Sequence, residues 1–261
     1  MSEGVKRNGS LAFCHWGTLV VLFFSFLVSG CAGNRELATK KARAEAGLGI
    51  SLIQEGQPRA GLTHLLEAAR LAPNNARILH EVALVYRDLK QYPLSLKYFK
   101  EALALQPDFP EAWNNLGTLY LYLKQWNKAI PCFKRAAETL TYKTPHFAYH
   151  NLGLAYFYAG ENQTAIESYR QALSLAPDYS LCWDDLGVAY EATGKVTEAR
   201  NAFEKAIRFA PQFPAPHFHL GKLYLKQSEV NKAQEELEKT IRLAPESPFA
   251  EEAKALLDRI H

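Results

Sequence analysis

The chain has 261 residues, 48% of them hydrophobic and 22% charged, with 30 basic against 27 acidic side chains and a net charge of +3. So small and evenly interspersed an excess argues against nucleic acid or a strongly acidic partner. Four cysteines are too few to staple a chain of this length, so apolar burial has to hold the fold, and there is enough chain for one or two domains.

Residues 1–30 carry the pattern of an export signal. Lys6 and Arg7 precede an almost wholly apolar run from Leu11 to Val28, a positive region ahead of a hydrophobic one. The run ends in Leu27-Val28-Ser29-Gly30-Cys31. This resembles the bacterial lipobox, with Val28 where Leu is the usual residue and Cys31 as the lipidated first residue of the mature chain. The alternative is an uncleaved membrane anchor, since about 18 apolar residues can just span a bilayer. Ala32 rather than Asp follows the cysteine, which resembles the outer-membrane class of lipoproteins. Cleavage would leave 28 basic and 26 acidic residues. Residues 31–41 are expected to be a lipidated tether. Its polar part, Gly33 to Lys41, reaches at most about 30 Å when extended.

From residue 42 the chain repeats itself. In Pro110 to Thr141, counting Pro110 as position 1, Trp113, Leu116, Gly117 and Tyr120 fall at positions 4, 7, 8 and 11. Ala129, Phe133 and Ala136 follow at 20, 24 and 27. That spacing predicts two amphipathic helices packed face to face, with Gly117, Ala129 and Ala136 small where two backbones approach closely. Pro73, Pro107, Pro177, Pro211 and Pro245 recur at intervals of 34, 70, 34 and 34 residues, the long interval being two repeats plus two extra residues. The units are therefore 42–75, 76–109, 110–145, 146–179, 180–213 and 214–247. The pattern resembles the tetratricopeptide repeat (TPR). It implies an all-α fold, a right-handed TPR superhelix or α-solenoid of six helix pairs. Residues 248–261 place Phe249, Ala253, Leu256, Leu257 and Ile260 on one stripe, predicting a capping helix that leaves no residues for a second domain.

The end repeats depart most from the template. Repeat one has Glu45 in the Trp slot and Gly61 for Ala, with Gly56 and Pro58 near its turn, so it is expected to open most easily. Repeat six has His217 in the same slot, expected to be a core histidine.

No catalytic signature is present, neither G-x-S-x-G, Walker loop, Rossmann glycines, H-E-x-x-H nor C-x-x-C. The expectation is no enzyme, no cofactor, no metal and no small-molecule substrate. His146 and His150 lie four apart but lack a third ligand, so exposed helix histidines are expected. Cys132 and Cys182 are expected to be free, buried thiols. Asp184 and Asp185 diverge by about 100° around a helix, which favours a solvated face.

The concave face of such repeats is lined by positions 2, 5, 9, 12 and 13 of each first helix. His80, Asn114, His150 and Asp184 stand at position 5; Leu84, Thr118, Leu154 and Val188 at position 9. Leu121, Tyr122, Phe157 and Tyr158 fill positions 12 and 13 of repeats three and four. The groove is thus apolar and aromatic at its middle. It lacks the position-9 Asn of TPR domains that clamp a chaperone's terminal carboxylate, and it suits a segment or helix of a partner protein.

A lipobox, a short tether, six repeats and the overlong junction AAETLTYKTPHFAYHNLG together resemble the type IV pilus assembly lipoproteins of the pilotin-like PilF/PilW family. The resemblance implies a non-enzymatic scaffold, anchored by a Cys31 lipid such as palmitate in the outer membrane and facing the periplasm. It would support pilus biogenesis by helping an outer-membrane secretin, or another pilus component, to localise or oligomerise. The alternative is another envelope TPR adaptor, serving a periplasmic protease, peptidoglycan enzymes or an export complex.

Overall fold

The computed structural model describes Met1 and residues 36–260; the rest of the expected signal peptide, Cys31 and the start of the tether lie outside the described residues. The chain forms two compact units, one up to Leu105 and one from Gln106 onward. The first contains α1 (36–54), α2 (Pro58–Leu71), α3 (Ala76–Asp88) and α4 (Tyr92–Leu105). The second contains α5 (Pro110–Tyr122), α6 (Trp126–Glu138), α7 (Pro145–Tyr158), α8 (Asn162–Leu175), α9 (Ser180–Ala192), α10 (Val196–Phe209), α11 (Pro214–Lys226), α12 (Val230–Leu243) and α13 (Pro248–Leu257). No strand occurs among the described residues.

One expectation about the ends is corrected. Residues 36–41, expected to be tether, are the first turns of α1. Glu36, Leu37, Ala38, Lys40 and Lys41 are good helix formers with no Gly or Pro among them, and Lys40 reaches Glu36 at 2.8 Å. Burial begins only at Ala42, so the repeat phase marks where packing starts rather than where the helix starts. At the other end α13 is the expected cap and lies against α12 and α11. Ala253 joins Phe218 and Leu237 in a core flanked by Phe249, Leu256 and Leu257.

Within a repeat, the first helix yields to the ring of the second. A Cβ at Gly117 would stand 2.6 Å from Phe133, one at Gly153 2.5 Å from Tyr169, and one at Gly187 2.4 Å from Phe203. Gly117 therefore makes room for a flat ring, not for a backbone. Close backbone approach does occur in repeat one, where a Cβ at Gly61 would lie 2.5 Å from the Gly49 carbonyl oxygen. Ala129 and Ala136 are fully buried beside Phe133 in α6, as are Ala165 and Ala172 beside Tyr169 in α8.

Each first helix ends the same way. Position 15 has positive φ in all six repeats: Gly56, Lys90, Lys124, Gly160, Gly194 and Ser228. In repeat three the Lys124 N–H donates to the Leu121 carbonyl at 3.0 Å and the Gln125 N–H to the Tyr120 carbonyl at 2.8 Å. These two bonds form a Schellman motif, which satisfies carbonyls that the helix end would leave open. Three of the six sites hold a side chain in the left-handed region, where a Cβ costs roughly 1–2 kcal/mol.

Lys124→Gly is therefore expected to stabilise the fold by about 0.5–1 kcal/mol, the gain from relieving the Cβ being partly offset by the freer unfolded chain. Urea unfolding that shows no gain, or a loss, would mean that the Lys124 side chain contributes contacts worth more than the strain.

Candidate functional site

In repeats three, five and six the position-4 side chain ties the repeat to the turn before it. The Trp113 Nε1–H donates to the Pro107 carbonyl and the Trp183 Nε1–H to the Pro177 carbonyl, both at 2.8 Å. His217, fully buried as expected, occupies the slot in repeat six with Nε2 at 3.2 Å from the Pro211 carbonyl. Its Nδ1 lies 2.5 Å from Glu236. Repeat one uses the same pair reversed, Glu45 in the slot and His64 at 2.7 Å. The missing tryptophans at both ends are thus replaced by a histidine–carboxylate pair between the two helices of the repeat.

A second polar set joins neighbouring repeats in the Gln106–His261 unit. The Asn151 Nδ2–H donates to Asn114 Oδ1 at 3.1 Å. His150 Nε2 and Asp185 Oδ2 are 2.6 Å apart, and His219 Nδ1 and Asp184 Oδ1 are 2.8 Å apart. Each link runs from position 5 of one first helix to position 6 of the next. Lys226 of α11 bonds Glu191 of α9 further along the same helices.

Burial and these links correct two expectations. His146 and His150 are not exposed: His146 is half-buried, and His150 is 3% exposed with the Tyr179 hydroxyl at 3.3 Å from its Nδ1. Asp184 is 2% exposed and Asp185 half-buried, and both have histidine partners, so neither belongs to a solvated face. Burial raises the Asp184 carboxyl above its ordinary value although the His219 bond draws it back. No group of three His, Cys, Asp or Glu side chains that could hold a metal occurs among the described residues.

Cys132 and Cys182 are free and buried, as expected. Burial raises the Cys132 thiol to about 12 and the Cys182 thiol further still. Neither thiol therefore has the low pKa of a nucleophile.

The expected groove residues divide by this geometry. In the first unit His80 is buried, with its ring 5.7 Å from Phe99, and Leu84 is half-buried. In the second unit His150 and Asp184 are internal links rather than lining. Asn114, Thr118, Leu121, Leu154, Phe157 and Val188 are half-buried, and the Thr118 hydroxyl donates to the Asn114 carbonyl at 2.9 Å. Tyr122 and Tyr158 are 65% and 55% exposed. The Tyr158 ring stacks on Trp126 at 5.1 Å between centroids. What remains accessible is an aromatic and aliphatic surface whose polar neighbours are already bonded to one another. Such a surface can take apolar side chains of a partner but offers no prepared charge.

The position-6 partners Asn151, Asp185 and His219 escape sequence reasoning that follows one helix at a time. Their signal is a polar residue 35 residues after a polar position 5, or 37 across the insertion.

A double-mutant cycle on Asp184→Ala and His219→Ala should give a coupling of about 1–3 kcal/mol by denaturant unfolding, with Asp184→Ala alone costing about 2–4 kcal/mol. Additive effects would mean that the pair is not coupled.

Tetratricopeptide repeat profiles match residues 74–141, 108–178 and 147–212, and a further one matches 192–260. Among curated relatives, the transcriptional corepressor ssn6 of Schizosaccharomyces pombe is 25% identical over 43% of this chain and 10% of its own length. The human DnaJ homolog subfamily C member 3 is 27% identical over 49% of this chain and 24% of its own. The chain thus spans a quarter or less of these relatives. Among solved structures, PilF of Pseudomonas aeruginosa aligns with TM-score 0.72 and 19% identity over 85% of this chain and 98% of its own. PilW, described as a type IV pilus biogenesis factor, aligns with TM-score 0.74 and 20% identity over 83% and 98%. At that identity the likeness is one of fold. Repeat period, helix pairing and matched profiles agree across most of the sequence, and the chain belongs to the tetratricopeptide repeat family.

Proposed function

We propose that this chain is a non-enzymatic scaffold that binds a protein partner of type IV pilus assembly. The observation that carries the reading is the fold likeness to PilF and PilW, which extends over nearly the whole of both chains. The lipobox at Cys31 supports a lipid anchor in the outer membrane with the repeats in the periplasm, since several acyl chains on one residue give stable attachment. The partner in this reading is an outer-membrane secretin, which the scaffold helps to reach the membrane or to close into its ring. The accessible Tyr122, Tyr158 and Trp126 rings, with Leu121 and Phe157 beside them, are the contact surface.

In cells lacking the protein, secretin oligomers and surface pili should both be lost, and cross-linking in intact wild-type cells should capture the secretin. Unchanged oligomers and pili would overturn the pilus role and leave the alternative of another envelope adaptor.

Cys31→Ser should move the protein out of the outer-membrane fraction. Unchanged fractionation would mean that the apolar run at residues 11–28 is itself the anchor. Tyr122→Ala combined with Tyr158→Ala should reduce partner capture at least tenfold, since aromatic anchors at interfaces typically contribute about 2 kcal/mol or more. Helicity should be unchanged because both rings are largely exposed. A large loss of helicity would place them in the core instead.

A further inference from the structure

An open cleft of about 410 Å³ lies among α8, α9 and α10, within the Gln106–His261 unit. Its share of α9 is Trp183, Leu186 and Tyr190, which fall on one face of that helix at 3.6 residues per turn, while Asp184 and Val188 fall on another. The floor is apolar and aromatic. Two cations stand at its edge. The Arg170 Nε–H donates to the Tyr190 hydroxyl at 2.9 Å. The Lys205 ammonium lies 4.1 Å from the centroid of the Trp183 ring. Glu198 is the single carboxylate in the lining, so the cleft has an excess of positive charge.

The repeats themselves supply a control for this arrangement. Position 26 of repeat three is Arg135, which bonds Asp108 of the preceding turn at 2.9 Å. Position 26 of repeat five is Lys205, and the matching turn carries Asp178. That pair is not made: Lys205 enters no ion pair among the described residues and rests on the indole instead. The Nη groups of Arg170 likewise have no acceptor among the described residues. The template neutralises this position in repeat three and leaves it available in repeat five, above an apolar floor.

We propose that this cleft is a second protein-binding site, separate from the concave surface. It takes an extended internal segment of a partner in which an Asp or Glu side chain adjoins an aromatic one. The carboxylate accepts hydrogen bonds from Arg170 and Lys205, a charge-assisted arrangement for which the guanidinium fork is well shaped. The neighbouring ring lies against the half-buried Trp183 indole beside Lys205, where aromatic contact adds to area burial. Because the cleft is open, the segment runs through it and need not end there.

The test uses the full chain in detergent micelles and a rhodamine-labelled acetyl-Gly-Asp-Phe-Gly-amide peptide, followed by fluorescence anisotropy. Saturable binding is expected, at least tenfold weaker when Lys replaces Asp in the peptide and weaker as salt is raised. Lys205→Glu, and the milder Lys205→Gln, should each weaken binding at least fivefold at unchanged thermal midpoint. Tyr122→Ala with Tyr158→Ala should leave it unaltered. Equal binding of both peptides, insensitivity to both Lys205 variants, or no saturation at millimolar peptide would overturn the proposal. Tighter binding of a peptide ending in a free Phe carboxylate would overturn the internal segment as occupant.

Discussion

The helix pairs of repeats three, four and five depend on one contact, the ring of the second helix laid on the glycine of the first. Phe133 on Gly117, Tyr169 on Gly153 and Phe203 on Gly187 leave no room for even a methyl group. The ring fixes the separation of the two axes and fills the space beside the glycine, as a close-packed interior requires. It also explains the alanines at positions 20 and 27, which flank the ring on its own helix and are fully buried. Repeat one reaches the same closeness by another route. It has Leu65 in the ring slot and two facing glycines, so backbone meets backbone. Its Glu45–His64 bond adds a polar clasp between the two helices.

With the axes fixed, the remaining polar positions have few places to go. In the Gln106–His261 unit, His150 and Asp184 at position 5 face the next first helix, not solvent, and are tolerated there because position 6 of that helix supplies a partner. The links Asn114–Asn151, His150–Asp185 and Asp184–His219 share this geometry with different chemistry in each. A slip by one repeat would set His150 against His219 and deprive both histidines of their carboxylates, which is costly. The links therefore favour the native neighbour order over a slipped one. They also pair the charges of His150, Asp184, Asp185 and His219 with one another, which leaves Tyr122 and Tyr158 as the exposed side chains among the expected groove residues.

The fold is legible in the sequence because its signals are periodic. Prolines at 34-residue intervals, and glycine and aromatic residues at fixed positions, report the helix pair directly. Binding positions are less legible because a position number gives the direction of a side chain and not its environment. His150 and Asp184 point toward the expected groove yet are sealed beneath it by partners in the next repeat. The same limit misplaces Asp185, whose partner lies 35 residues away rather than on its own helix. The start of α1 escapes for the opposite reason. Residues 36–41 are helical through local propensity alone, and no burial pattern marks them. The cleft beside Trp183 involves three helices, so no single-helix pattern announces it.

The helix α9 shows how one repeat can serve two surfaces without compromising its packing. Leu186, Gly187 and Tyr190 belong to the core, and Leu186 and Tyr190 also reach the cleft floor. Asp184 bonds His219 of the next repeat, and Val188, four residues on, is half-buried. In the proposed groove the aromatic and aliphatic side chains have polar neighbours that are already bonded, so a partner docking there would have few polar groups to reorder. The cleft differs in kind, since Lys205 and the Arg170 fork are exposed and unneutralised, and their gain comes from charge. Attraction of that sort draws on longer range and weakens with salt, whereas apolar contact does not. The two proposed sites thus differ in the force they draw on, apolar contact at one and charge at the other, although one helix carries residues of both.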